Sequence, residues 1–100
     1  MFLQTFPHLE SEVESGEGAD ADVLTDLGAA LIDIGLDQEA ESRFRQALAE
    51  HPGHFHALFN LGGLLLTNGR SEEALVHLRH ARMIVDILIK KFPELAIRAQ

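Results

Sequence analysis

One 34-residue unit is written twice in this chain, over residues 21–54 and again over residues 55–88. Leu24, Leu27, Gly28, Leu31, Gly35, Glu39, Ala40, Arg45 and Ala47 recur at that fixed offset as Leu58, Leu61, Gly62, Leu65, Gly69, Glu73, Ala74, Arg79 and Ala81. A period of this size belongs to stacked architectures, whose units bury their apolar faces only against their neighbours. The expected organisation is an acidic N-terminal segment over 1–20, a first unit over 21–54 and a second over 55–88. Residues 89–100 complete a long final helix and a tail.

Within each unit the apolar residues fall at helical spacing. Val23, Leu24, Leu27, Leu31 and Ile34 form one stripe, with Asp20 or Asp22 placed to cap the first free N–H groups. Gly35 supplies the left-handed residue that ends this helix. Asp37 is expected to cap a second helix, whose inner face is Ala40, Phe44, Ala47 and Leu48; His51-Pro52-Gly53 stops it. The second unit repeats the plan, with a helix over about 55–68, Gly69 as its stop and Ser71 as the next cap. Gly28 and Gly62 lack a Cβ and let the paired helix approach closely, with Phe44 and Leu78 filling the space between small alanines. The adjacent Gly62 and Gly63 both read as packing positions inside a helix. The fold class is therefore all-α, built from antiparallel helix pairs.

This arrangement resembles the tetratricopeptide repeat (TPR). The first unit offers Leu24-x2-Leu27-Gly28-x2-Leu31, then Ala40-x3-Phe44, Ala47 and Pro52. The second offers Leu58-x2-Leu61-Gly62-x2-Leu65, then Ala74-x3-Leu78 and Ala81. Aromatic residues often found in the family's first helix are replaced by leucines. Asp86 stands where the second closing proline would be, so the last helix is expected to run on to about residue 91. Two units are fewer than the three usually needed for an independent stack, so something must cover the open ends.

The resemblance implies a non-catalytic protein–protein interaction scaffold that binds a peptide or helix of a partner in a concave groove. Carrying the family's inner-face positions across gives Asp22, Thr25, Asp26, Ala29, Ile32 and Asp33 in the first unit. In the second it gives His56, Phe59, Asn60, Gly63, Leu66 and Thr67. The family's carboxylate-gripping set is absent, because Thr25 and Ala29 occupy the first-unit positions and only Asn60 matches. The alternative is an obligate homodimer, or a small subunit of a larger complex, assembled through Ile84, Ile87, Leu88 and Ile89. In that segment Leu78, Val85, Leu88 and Phe92 continue the core stripe while the isoleucines spread onto other faces. The internal alternative is that Phe2, Phe6, Leu9 and Val13 fold back over them; Pro7 would open a short helix over 7–15.

Composition narrows the choice further. A net charge of −8 without a basic stripe excludes nucleic acid and anionic membrane as natural partners. An acidic flank over residues 10–26 favours a basic protein partner. With no cysteine there are no disulfides, thiolate metal sites or Cys nucleophiles. The N-terminus lacks a secretory pattern and no run suffices for a membrane span, so a cytoplasmic protein is expected. His51, His54 and His56, with His77 and His80 and the neighbouring carboxylate Glu50, are the metal ligands the sequence offers for consideration, and solvated histidines are the preferred reading of them. Ser11, Ser15, Ser42 and Ser71 have no partnered base, and Glu10, Glu12 and Glu14 read as a solvated face. No enzyme activity, cofactor or metal is expected.

Overall fold

The computed structural model describes residues 20–95, and four helices account for most of them. They are α1 (Ala21–Asp33), α2 (Asp37–Glu50), α3 (Phe55–Thr67) and α4 (Ser71–Lys91). The architecture is an all-α helical repeat: α1 packs on α2, α3 packs on α4, and α2 and α3 join the two pairs. The short helix expected over residues 7–15 lies outside the described residues.

The turns inside each pair follow from glycine. Gly35 and Gly69 adopt φ of 85° and 80°. Around Gly35, the Leu36 amide donates to the Leu31 carbonyl at 2.8 Å and the Gly35 amide to that of Ile32 at 3.0 Å; Arg70 to Leu65 and Gly69 to Leu66 repeat the pattern at 2.8 and 3.1 Å. This double closure satisfies the last carbonyls of α1 and α3 and lets the chain re-enter a helix at once. The re-entry is one residue earlier than the sequence suggested. Leu36 and Arg70 occupy the cap positions and supply no side-chain cap. Asp37 and Ser71 fall inside the first turn instead, where the Asp37 carboxylate complements the helix dipole. At the start of α1 the cap is conventional, with Asp20 accepting from the Asp22 amide at 2.8 Å.

The junction between the pairs is a turn. The His54 amide donates to the His51 carbonyl at 3.0 Å across Pro52 and Gly53, and proline suits the second position of such a turn. His54 then caps α3, its Nδ1 accepting from the Ala57 amide at 3.1 Å.

Phe44, Leu24, Leu61 and Leu65 are the largest fully buried side chains, framed by Ala40, Ala47, Ala57, Ala74 and Ala81. The close approach expected at two glycines is present. A Cβ at Gly28 would sit 2.5 Å from the Phe44 ring, and one at Gly62 would sit 2.6 Å from Leu78. Gly63 differs, since a Cβ there would meet nothing within 4 Å; it is not a packing position.

Several stripe positions are not core. Val23 and Ile34 are 53% and 69% exposed, and Leu88 and Phe92 are also exposed. Helical spacing sets the direction of these side chains, but with two units the first and last faces have no neighbour among the described residues. Across the interior junction, Glu41 and Arg45 of α2 meet Arg70 and Glu73 in a closed ring of alternating charge. Arg45 contacts Glu41 and Glu73 at 2.7 and 2.5 Å, and Arg70 contacts both at 2.7 Å. Hydrogen bonds from the two guanidinium groups hold the carboxyls of Glu41 and Glu73 below the ordinary carboxylate range.

Candidate functional site

The face shared by α1 and α3 carries most of the groove residues expected from sequence. Asp22, Thr25 and Asp26 of α1 and His56 and Asn60 of α3, with His54 at the junction, line a cleft of about 450 Å³. Its two carboxylates differ in setting. Asp26 is exposed. The Asp22 side chain is 76% accessible yet held from behind by His54, whose Nε2 lies 2.5 Å from its Oδ1. Because the His54 Nδ1 accepts from the Ala57 amide, the ring hydrogen sits on Nε2 and is donated to Asp22. One buried imidazole thus caps α3 and orients a carboxylate on α1.

His54 was legible only as one of three neighbouring histidines. His is not a preferred capping residue, and its second partner lies 32 positions away. The rings of His51 and His56 stand 5.6 and 6.2 Å from that of His54, but both nitrogens of His54 are already engaged. Among the described residues no group of three or more His, Cys, Asp or Glu side chains could hold a metal ion. On α4, burial and the nearby Arg45 push His77 below the ordinary histidine value.

The other expected groove residues sort by burial. Thr25 is 4% exposed, and its hydroxyl donates to the Ala21 carbonyl at 2.7 Å; it floors the cleft and does not offer a free hydroxyl. Ile32 packs against the core from the side, and Ala29 is half-buried. Phe59 and Leu66 are 55% and 53% exposed, and Asp33, Gly63 and Thr67 are exposed as well. Phe55 stacks on Phe59, with ring centroids 5.8 Å apart and planes 12° apart, so the exposed Phe59 ring is backed by a second aromatic on the same helix.

A pair of helices closed by a left-handed glycine, glycine-on-large contacts between partner helices and a 34-residue register together point to one family. A family model described as Tetratricopeptide repeat matches residues 38–85. Those residues belong to the tetratricopeptide repeat family. The matched span runs from α2 through α3 into α4, so it includes the junction between the pairs and stops short of the last turns of α4. Comparisons with curated proteins and with solved structures returned no match. TPR proteins generally mediate protein–protein interaction.

On the second surface singled out from sequence, Ile87 and Leu88 of α4 are 58% and 42% exposed, while Ile84 and Ile89 are half-buried. Met83, Phe92 and Leu95 extend the same exposed apolar character. No described helix is long and apolar enough to cross a membrane.

Proposed function

We propose that this chain is a non-catalytic protein–protein interaction module that receives a peptide or helix of a partner on the face formed by α1 and α3. The observation that carries the proposal is the pairing of exposed Phe59 and Leu66 with the cleft between Asp22, Asp26, His56 and Asn60. An aromatic that stays half-exposed while stacked in a fixed orientation is a ready anchor for a partner, since contiguous exposed apolar surface marks interaction sites. The test is an unbiased peptide array probed with the intact chain. Binding that Phe59→Ser or Leu66→Ser weakens at least tenfold, with the melting temperature unchanged, supports this face. Peptide binding indifferent to both substitutions refutes it.

A second reading is assembly through α4, as a homodimer or a small subunit of a larger complex. It is favoured by exposed Met83, Ile87 and Leu88, with Ile84 and Ile89 half-covered beside them. Burying three such side chains is worth roughly 5–8 kcal/mol, comparable to the stability of a domain. Light scattering over a range of concentrations tests the homodimer. A dimer that Ile87→Glu converts to monomer supports it, and a strict monomer at high micromolar concentration refutes it.

A further inference from the structure

Gly62 and Gly63 are neighbours in α3, and only one has a reason inside the molecule to lack a side chain. At Gly62 an added Cβ would lie 2.6 Å from Leu78; at Gly63 it would meet nothing within 4 Å. Gly63 does not need glycine for its backbone either, because the positive φ angles of the described residues belong to Gly35 and Gly69. Glycine is a poor helix former, and the equivalent position of the first unit is Ala29. Gly63 thus leaves a notch in an exposed helix face. One turn before it stand Phe59 and Asn60, and one turn after it stand Leu66 and Thr67. Asn60 also borders the cleft that contains Asp22 and Asp26.

Charge on this face has one sign. Asp22, Asp26 and Asp33 lie on α1, and neither α1 nor α3 contains a Lys or Arg. His54 holds one Asp22 oxygen from behind at 2.5 Å, which leaves a carboxylate that is oriented and still largely accessible. Resting on the partner-binding reading above, we infer that the occupant is a basic amphipathic segment of another protein. Its Lys or Arg enters the Asp22–Asp26 cleft, and an apolar side chain about one helical turn away seats on Gly63 between Phe59 and Leu66. Charge complementarity selects the cation, and the missing side chain of Gly63 admits the apolar knob.

The probes are fluorescent 14-residue helical peptides carrying one Arg and one Leu four positions apart, with controls replacing Arg by Glu or Leu by Ser. The intact chain should bind the Arg/Leu peptide at least tenfold more tightly than either control, and binding should weaken between 0.05 and 0.5 M salt. Gly63→Leu should lower affinity tenfold or more without lowering the melting temperature. Asp26→Lys should abolish the preference for Arg over Glu, which a general loss of structure would not do selectively. The inference is overturned if Gly63→Leu and Asp26→Lys leave the peptide affinities unchanged. If array peptides without a cation bind and are lost with Phe59→Ser, the groove reading stands while this inference falls. If no array or designed peptide binds, both fall.

Discussion

Substituting alanine at Gly62 and, separately, at Gly63 should move stability in opposite directions. Both sites are interior positions of α3, so each substitution gains about 1 kcal/mol of helix propensity, partly by restricting the unfolded chain. At Gly63 nothing opposes that gain. At Gly62 the new Cβ would stand 2.6 Å from both Cγ and Cδ2 of Leu78 and 3.4 Å from the Ala74 carbonyl oxygen. Carbon atoms in contact sit about 3.5–4.0 Å apart, so Leu78 must retreat by about 1 Å. Leu78 packs against the core cluster of Phe44, Leu61 and Leu65, and the Ala74 carbonyl moves only if α4 moves. Overpacking of this kind costs about 1–3 kcal/mol.

The propensity gain is common to both variants, so their difference isolates the steric cost of about 1–3 kcal/mol. For a domain of this size each kcal/mol shifts the melting temperature by about 4–8 °C. Urea and thermal unfolding followed by circular dichroism should therefore place Gly63→Ala at or above the parent. Gly62→Ala should melt at least about 4 °C below Gly63→Ala, with the urea slope unchanged. Adding Leu78→Ala to each background should cost less beside Gly62→Ala, because the clash is then removed. Equal midpoints for the two glycine variants would refute the reasoning that distinguishes one glycine from the other.

Phe44→Ala should cost about 3–5 kcal/mol in urea unfolding, because the ring is fully buried and the glycine opposite cannot fill the void. Glu41→Gln should cost about 0.5–1 kcal/mol at neutral pH, an amount kept small by the solvent access of its partners and reduced further in 1 M salt. The folded-state values of Glu41 and Glu73 are depressed, so the ring's contribution is present above the ordinary carboxylate range. It is lost as pH falls through the lower folded values, and Glu41→Gln should flatten that acid limb of a stability–pH titration. His77 loses stability in a separate and higher window. Its folded-state value is lowered by burial, so the unfolded chain takes up the proton first and stability declines as pH drops below about 6.5; His77→Gln should remove that decline.

The repeat made the interior of this fold readable. Gly28 and Gly62 as close approaches, Gly35 and Gly69 as left-handed stops, and Phe44 as the central side chain all follow from spacing, because each acts on a partner inside the same 34-residue unit. What spacing could not convey is whether anything lies against a given face. Val23, Ile34, Leu88 and Phe92 keep the helical period yet are exposed, since periodicity sets a direction and not a neighbour. Contacts between units were equally hidden. The charge ring joins residues 28 and 29 positions apart, and the Asp22–His54 bond spans 32. Each of those side chains, read alone, looks like ordinary solvated polarity. The candidate site was half legible for the same reason: its positions came from the family register, but the burial of Thr25 and the double engagement of His54 depend on how α1 meets the start of α3.

The two units are copies in their scaffold and not in the face they present. The nine recurring residues include both close-approach glycines and both helix stops, whereas all six expected groove pairs differ: Asp22 with His56, Thr25 with Phe59, Asp26 with Asn60, Ala29 with Gly63, Ile32 with Leu66, Asp33 with Thr67. Constancy is required where one helix touches another, because a misplaced methyl group there displaces a whole element. Nothing in the packing requires the outer residues to diverge in a consistent sense, yet they do. Carboxylates gather on α1, and exposed Phe59 and Leu66 gather on α3. A surface acidic at one end and apolar at the other cannot accept a ligand equally in both directions. On the proposed reading, a basic amphipathic segment docks with its cation toward α1 and its apolar residue along α3, and the difference between the two copies would then set the direction of the bound chain.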